Sequence, residues 1–325
     1  MIPMMNIIAW GNVVPWAEQR QVEQDLIISR AIVDVFSDQF LCEQLRFRGG
    51  TALNKLHFPS PIRYSEDIDL VRTSSGPIKP TIDRIRERLE PWLGPASFDR
   101  SAIAPKLKFR VTAEDPASTA PLRLKLEINT SETVVFDAPQ ALLFRVNNPW
   151  FAGEATVPTF SRAEILATKL RALLQRNKGR DLFDLSNALD VFDDLDRNRI
   201  IQCFGQYLQR SQTPISRAEA EQRMFAKLNN PGFLTDLRPL LAAEQAAHLT
   251  DDSVKQAFTK IFSSLIALIP GERWARRSHP GRTIAYLADG TKGPPGVPRE
   301  SPPRLRPTSH RAPRRNDEPG SQAGH

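Results

Sequence analysis

Apolar residues in the first half of the chain recur at two spacings, one typical of helices and one typical of strands. In residues 22–41 they fall on a single helical stripe formed by Ile28, Ile32, Val35, Phe36 and Phe40. Residues 122–128 instead alternate strictly between Leu or Ile and charged residues, which predicts a strand with one buried face. The first half therefore mixes helices and strands.

Shorter segments continue this mixed pattern. It predicts helices over residues 51–57 and 81–89, and strands over residues 45–48, 68–71, 107–111 and 142–146. The pattern changes near Pro158, where Ser161 and Glu164 form a capping box that predicts the start of a helix. Helical patterns continue to about residue 269. We therefore expect an α+β fold, with an α/β core over residues 1–157 and a helical domain over residues 158–270.

The formal net charge of +7 is concentrated at the end of the chain. Residues 271–325 contain 11 Lys and Arg, 5 Asp and Glu and nine prolines, a composition that predicts a disordered basic tail. The remaining chain is nearly neutral. Composition alone therefore does not indicate a nucleic-acid-binding protein, and an RNA contact would need a local basic surface.

The same sequence favours a cytoplasmic protein. No apolar run is long enough to span a membrane, and Arg20, the first basic residue, comes too late for a signal peptide. Cys42 and Cys203 are too few for a disulfide framework or a zinc cluster, and we interpret them as packed thiols.

Two short motifs carry candidate chemistry. Asp67 and Asp69 are separated by one residue on a predicted strand, so both carboxylates project to the same side. Carboxylates held together repel each other unless a cation lies between them, and Mg²⁺ prefers such oxygen ligands. Gly49 and Gly50 permit close approach of a ligand to the backbone, and Thr51 follows at a predicted helix start, where N–H groups favour a phosphate. This order of groups suits a nucleoside triphosphate.

Each motif alone also has a structural interpretation. A Gly-Gly-Thr segment is often only a turn, with the Thr51 hydroxyl capping the next helix. An Asp-x-Asp segment is often a solvated strand edge. The occurrence of both motifs in this order, within about 20 residues, favours a functional site.

The sequence resembles the AbiEii/AbiGii-type nucleotidyltransferase toxins, a branch of the polymerase-β-like nucleotidyltransferase superfamily, in three blocks. The first two are FRGGTALNKL, residues 47–56, and IRYSEDIDLV, residues 62–71. The third, residues 167–185, is similar to the lysine helix and Arg-Asp-x-x-Asp segment of that family. The resemblance extends from about residue 20 to about residue 270. It implies a polymerase-β-like nucleotidyltransferase core with a mixed sheet.

The resemblance also implies roles for individual residues. Nucleotide-binding residues would be Gly49, Gly50, Thr51, Ser65, Lys169 and Arg180. The metal ligands, which would hold two Mg²⁺ ions or Mn²⁺, would be Asp67, Asp69 and Glu127. The catalytic set would join these three carboxylates to Lys169 and Asp181.

Some of these roles have alternatives. Glu127 also suits a surface ion pair with Arg123 or Lys125, and Asp181 suits orientation of either Lys169 or the base. Lys169 lies close to the apolar stripe of its predicted helix, so its ammonium group needs an anionic partner or must reach past the stripe to solvent.

The function implied by the resemblance is transfer of a nucleotide from an NTP to an acceptor hydroxyl. The protein would be the toxin of a toxin–antitoxin or abortive-infection system, with its antitoxin encoded nearby and no membrane partner. A tRNA 3′ end is the expected acceptor, and a protein or small-molecule hydroxyl is the alternative. A degenerate member that only binds nucleotide is a non-enzymatic alternative. The basic surface expected for RNA comprises Arg171, Arg176, Lys178 and Arg180.

Overall fold

The computed structural model describes residues 2–114, 120–230 and 232–275, with helices and strands interleaved up to residue 159. The first helices are α1 (Met4–Gly11), α2 (Gln19–Phe36), α3 (Gln39–Gln44), α4 (Gly49–Ala52) and α5 (Lys79–Leu93). A π-helical turn, Leu53–His57, continues α4. The strands are β1 (Leu45–Arg48), β2 (Asp67–Arg72), β3 (Ser97–Asp99), β4 (Lys106–Val111), β5 (Leu122–Asn129), β6 (Gln140–Asn148) and β7 (Phe151–Thr159).

Within the described residues, only helical elements follow β7. They are α6 (Arg162–Gln175), α7 (Gly179–Val191), α8 (Arg197–Arg210), α9 (Arg217–Leu228), α10 (Ala243–His248) and α11 (Asp251–Ser264). Two 3₁₀ turns, Arg238–Leu240 and Ile266–Leu268, lie beside α10 and α11.

The seven strands form one mixed sheet in the order β3-β4-β5-β2-β1-β7-β6. The central strand, β2, is antiparallel to β1 and parallel to β5. Strand β1 is parallel to β7 through a single pairing of Phe47 with Thr159. The predicted α+β class with a mixed sheet is confirmed.

The alternating segment at residues 122–128 becomes β5. Its apolar side chains, Leu122, Leu124, Leu126 and Ile128, are at most 2% exposed, whereas the charged residues between them lie on the opposite face. Helix α2 packs against β5, β2 and β7. Each buried Leu or Ile contributes about 1.5–3 kcal/mol to stability, so this face anchors the strand that carries Glu127.

Buried apolar side chains form two clusters. The first lies between the sheet and the helices α1, α2 and α5. The second joins α6, α8 and α11 through residues such as Leu170, Phe204 and Ile261. It also contains Leu53 after α4 and Val71 of β2. The helices after residue 159 therefore pack directly on the elements that carry the glycine and aspartate motifs.

The single helix predicted over residues 22–41 is wrong in one respect, because the chain divides there into α2 and α3. The Asp38 side chain accepts a hydrogen bond from the Leu41 N–H and caps α3, so a new helix starts although the apolar stripe continues. The sequence pattern also does not predict α1, β3 or β7. Strand β3 has only three residues, and Gly153 and Pro158 weaken the strand signal of β7.

The tail predicted for residues 271–325 lies outside the described residues from residue 276 onward. No helix in the described part of the chain combines the length and hydrophobicity needed to cross a bilayer.

Candidate active site

Asp67 and Asp69 project from one face of β2, as their spacing predicts. Ile68 and Leu70 alternate with them and are buried in the first apolar cluster. In the neighbouring strand, Glu127 pairs in register with Asp69. Three carboxylates therefore lie side by side on the outer face of the sheet.

Two lysines neutralise part of this carboxylate group. The Lys125 Nζ lies 2.9 Å from the Asp67 carboxylate and 3.5 Å from that of Glu127. The surface ion pair considered between Glu127 and Lys125 is therefore present, and the Lys106 Nζ also lies 3.5 Å from Glu127. No group of three His, Cys, Asp or Glu in the described ranges is arranged to hold a metal ion. The positive charge of the two lysines therefore offsets part of the repulsion between the carboxylates.

Asp69 has different surroundings from the other two carboxylates. Burial raises the pKa of its carboxyl, repulsion from Asp67 raises that pKa further, and Arg48 opposes both effects. Unlike Asp67 and Glu127, Asp69 makes no ion pair within 4.0 Å in the described structure. The three carboxylates supply the oxygen donors that Mg²⁺ prefers, but with Lys125 between Asp67 and Glu127 they are not arranged as a metal site.

Gly49 brings the backbone directly against Asp69. Its φ is +85°, in the left-handed region, and a Cβ added at this position would lie 2.1 Å from Asp69 Oδ2. Only glycine satisfies both conditions. The turn between β1 and α4 therefore places backbone groups beside the carboxylates.

Gly50 faces two buried cations. A Cβ at Gly50 would lie 2.4 Å from Arg63 Nη2 and 3.3 Å from Lys169 Nζ. The absence of a side chain thus lets the start of α4 approach Lys169, which α6 contributes from the other side of the site.

Lys169 has the anionic partner that its position requires. The side chain is 7% exposed, and its Nζ lies 2.7 Å from Asp184 and 3.4 Å from Asp181 of α7. Burial raises the pKa of Asp184, but Arg63 and Lys169 outweigh this effect and lower the pKa to about 2. Lys169 is therefore held in a buried network rather than extended to solvent.

Arg63 and Arg176 complete this ionic network. The Arg63 guanidinium binds Asp184 through two hydrogen bonds of 2.6 and 2.7 Å, and both side chains are buried. Arg176 binds Asp181 in the same two-point manner, at 2.7 and 2.8 Å. Two-point pairs fix geometry as well as charge, so the network orients Lys169.

Thr51 and Ser65 support the site from behind. Their hydroxyl groups lie 2.7 Å apart, and the Thr51 hydroxyl also donates to the backbone carbonyl of Asp67. Thr51 is only 1% exposed. In this arrangement both hydroxyls connect α4 to the start of β2, and neither role requires a phosphate.

A second ionic group borders the site. Glu132, in the loop after β5, binds Arg48 of β1 and lies 2.7 Å from Arg171 of α6. Burial raises the pKa of Glu132, but the two arginines outweigh it and lower the pKa below its usual range. Glu132 thereby fixes two cations from separate elements at one position.

These residues surround a cleft of about 390 Å³. Its lining includes two carboxylates, Asp69 and Glu127, the glycines Gly49 and Gly50, and the cations Arg48, Lys169, Arg171 and Arg176. Each of these cations is already paired, with Glu132, Asp181 or Asp184, so the cleft combines fixed cations with two carboxylates. A larger cavity of about 550 Å³, between α7, α10 and α11, contains none of the predicted site residues.

Arg180 lies apart from this cleft. Its guanidinium is 3.8 Å from Asp236, and it does not line the cleft, whereas Arg176 does. Successive residues of a helix point about 100° apart, so Asp181 and Arg180 cannot both face Lys169. The phosphate role suggested for Arg180 has a better-placed candidate in Arg176.

Sequence reasoning assigned no role to several residues that shape the site. Arg63, Asp184, Glu132 and Arg48 belong to this group. Asp184 carried a signal, since it is the last residue of the Arg-Asp-x-x-Asp segment. Arg63 lies in the block at residues 62–71, but its pairing with Asp184, 121 residues away in the chain, is not evident from the sequence.

The sequence profile described as "Nucleotidyl transferase AbiEii toxin, Type IV TA system" matches residues 30–263. The chain belongs to the AbiEii family. The match includes every residue that lines the cleft, from Arg48 to Arg176. Membership in the AbiEii family places the chain among nucleotidyltransferase toxins of type IV toxin–antitoxin systems and implies a cognate antitoxin.

The fold of this AbiEii-family chain is similar to that of a solved nucleotidyltransferase toxin, MenT4. MenT4, described as a nucleotidyltransferase toxin from Mycobacterium tuberculosis H37Rv, superimposes with a TM-score of 0.52 and 15% identity, covering 78% of this chain and 86% of that one. JHP933 from Helicobacter pylori has a TM-score of 0.45 and 16% identity, covering 76% of this chain and 95% of that one. No curated protein sequence gives a significant match.

Proposed function

We propose that this AbiEii-family chain transfers a nucleotide from an NTP to the hydroxyl at a tRNA 3′ end, in a reaction that depends on Mg²⁺. The observation that carries the proposal is the convergence of Gly49, Gly50, Asp69, Glu127 and Lys169 on one cleft. These residues come from four separate elements, α4, β2, β5 and α6.

Asp67, Asp69 and Glu127 are the residues that would hold Mg²⁺. Bound there, the ion supplies neutralisation of phosphate charge and lowers the pKa of an attacking hydroxyl. Lys125 would have to release Asp67 and Glu127 as the ion binds, since it now neutralises both. The ion would then be held by carboxylate oxygens, the ligand type that Mg²⁺ prefers.

In this proposal the cations of the cleft would contact the triphosphate. Lys169 reaches the start of α4 beside Gly50, and its two aspartates restrict its movement. Arg48 and Arg171 also line the cleft, where both bind Glu132. Preorganised cations stabilise charge that develops on a leaving pyrophosphate without reorganising during the reaction.

Asp181 acts in this scheme through its neighbours. It is fully buried and binds both Lys169 and Arg176. Burial raises the pKa of Asp181, but these two cations outweigh it and lower the pKa. We assign it orientation of Lys169 rather than direct contact with the base.

A labelling experiment tests the proposed function. Purified protein is incubated with each labelled NTP in turn, Mg²⁺ and total tRNA, and the products are separated before and after RNase treatment. We expect label in tRNA, dependent on Mg²⁺ and lost on RNase digestion. Label in an RNase-resistant polypeptide would replace the tRNA acceptor with a protein. Absence of transfer to tRNA, total protein and small molecules would contradict the enzymatic proposal.

A further inference from the structure

The outer face of β4 and β5 carries a ladder of basic residues next to the carboxylates. In the antiparallel register, Lys108 lies opposite Lys125, and Arg110 lies opposite Arg123. We call these four residues the basic ladder. Lys106, opposite Glu127, occupies the rung nearest to the cleft.

Two successive like-charged pairs are unfavourable for the isolated sheet. Residues directly opposite each other in adjacent strands have Cβ atoms about 4.5–5.5 Å apart, and like charges at that distance destabilise the pairing. Lys125 and Lys108 have acidic neighbours, Asp67 at 2.9 Å and Asp99 at 3.2 Å. The guanidinium groups of Arg110 and Arg123 have neither an ion pair nor a hydrogen bond within the described ranges. Contacts within the described protein therefore do not offset the repulsion between Arg110 and Arg123.

The ladder has the geometry of a track that leads to the carboxylates. Glu127, Lys125 and Arg123 occupy alternate positions of β5 and so share one face. Alternate positions are about 7 Å apart along a strand, so Arg123 lies about 14 Å from Glu127 along β5. In a single-stranded nucleic acid with an extended backbone, successive phosphates are separated by about the same distance as alternate residues of a strand. Its terminal hydroxyl would reach Asp69 and Glu127 while the preceding phosphates follow the ladder.

The basic surface expected around α6, the helix that carries Lys169, is a weaker candidate for binding an RNA acceptor. Arg171 binds Glu132, Arg176 binds Asp181, and Arg180 faces Asp236. Three of its four cations are thus already neutralised within the protein. The unpaired arginines lie instead on the sheet, on the opposite side of the carboxylates from β1.

We infer that the basic ladder binds the single-stranded 3′ end of an RNA acceptor and directs its terminal hydroxyl to the carboxylate group. This inference rests on the proposed nucleotidyltransferase function and specifies the acceptor surface. Lys125 links the two sites, because it contacts Asp67 and Glu127 and also belongs to the ladder. A cation that displaces Lys125 from the carboxylates makes its ammonium group available to an acceptor phosphate.

Variants of the outermost rung test this inference. The double variant Arg110→Gln/Arg123→Gln removes two exposed cations that lie outside the cleft. We expect the KM for tRNA to rise on the order of tenfold, and the slope of log affinity against log salt to become shallower by about 1.4, with about 0.7 per lost phosphate contact. The kcat at saturating tRNA and the NTP affinity stay unchanged. Affinity for a short fluorescent single-stranded RNA falls in parallel.

A matched control removes the same charge elsewhere. Arg197 and Arg210, at the two ends of α8, are also exposed. The double variant Arg197→Gln/Arg210→Gln should leave the KM for tRNA and the salt slope at their wild-type values. Equal effects of the two double variants would show that only net charge matters and would overturn the inference.

A charge reversal separates binding from structure. Arg110→Glu places a carboxylate opposite Arg123, which replaces repulsion in the sheet by attraction. We expect a melting temperature equal to or above that of the wild type, together with a larger loss of RNA affinity than in the double Gln variant. Wild-type KM and salt slope in both ladder variants would overturn the ladder while leaving the nucleotidyltransferase proposal intact. Failure of the wild-type protein to label any RNA would instead overturn the proposed acceptor, and the ladder with it.

Discussion

At the scale of single residues, Asp69 is the carboxylate with no lysine against it. Both of its acidic neighbours have an ion pair with Lys125. We predict that Asp69→Asn reduces nucleotide transfer at least a hundredfold, the typical effect of removing one preorganised electrostatic group. The melting temperature should stay the same or rise, because an amide relieves the carboxylate repulsion. A transfer assay and thermal unfolding measure the two effects.

Glu87→Gln is the matched control for this variant. Glu87 is an exposed carboxylate on α5 and lies outside the cleft. Its loss should change neither transfer nor melting temperature. Near-wild-type transfer by Asp69→Asn would show that the carboxylate group is not catalytic.

His57, at the end of the π-helical turn, predicts a pH dependence of stability. The ring is buried, its Nε2 has no hydrogen-bond partner in the described structure, and burial, assisted by Arg162, lowers the pKa to about 4. The unfolded chain therefore binds a proton near pH 6.5 that the folded chain binds only near pH 4. The stabilisation is complete above pH 6.5 and is lost as the pH falls through this window, to a total of about 3 kcal/mol.

His57→Phe removes this proton-linked term. Urea unfolding between pH 4 and pH 7 should show a smaller loss of stability in the variant than in the wild type. The same dependence on pH in both proteins would mean that His57 is not the responsible group.

At the scale of elements, the turn from β1 into α4 can be tested with two glycines of similar conformation. Gly49 and Gly94 have φ values of +85° and +81°, but only at Gly49 would a Cβ collide, with Asp69. Gly94→Ala should cost about 1–2 kcal/mol through backbone strain, and Gly49→Ala should cost more because its Cβ also collides with Asp69. Only Gly49→Ala should also abolish transfer, because it displaces the carboxylate. Equal activity of the two variants would argue against close approach of this turn to the site.

The buried ion pair between Asp184 of α7 and Arg63, which precedes β2, predicts that fold stability and nucleotide transfer can be changed separately. Asp184→Asn leaves the buried Arg63 without its partner and should destabilise the fold by about 3–5 kcal/mol. The double variant Arg63→Met/Asp184→Leu removes both charges and should regain much of this stability. Transfer should remain low, because Lys169 loses its nearest anion. Urea unfolding and the transfer assay measure the two outcomes, and full activity of the double variant would contradict a positioning role.

The sequence predicts those features that depend only on residues close together in the chain. The alternation of β5 and the one-residue spacing of Asp67 and Asp69 predict strand faces directly, and both are observed. The position of Lys169 near an apolar stripe predicts the need for an anion, but not that Asp184 supplies it. Identifying Arg63 as the second partner requires knowing which elements meet in three dimensions. The cap at Asp38 was accessible in principle, since Asp is a favoured N-cap residue.

At the scale of the whole molecule, the elements that line the cleft contribute apolar residues to both clusters, such as Leu70 of β2 to the first and Leu170 of α6 to the second. Sheet residues supply the carboxylates and α6 supplies Lys169, so binding at the cleft involves parts of both clusters. We predict that Mg²⁺ raises the melting temperature of the wild type, since a ligand at a hundredfold excess over its Kd stabilises by about 2.7 kcal/mol. Asp69→Asn should lose this response, and EDTA should reverse it. An equal response in wild type and variant would place the ion elsewhere.

The ion pairs of Lys125 have a practical consequence for handling the protein. Because an ammonium group of the chain itself already balances Asp67 and Glu127, stripping the solution of divalent ions does not leave these two carboxylates without a counter-charge. The polypeptide should therefore tolerate purification through chelating resin and storage in chelator, and return to full transfer activity when Mg²⁺ is added back. Lys125→Met would remove that tolerance and make divalent ions necessary during expression and storage as well as during turnover.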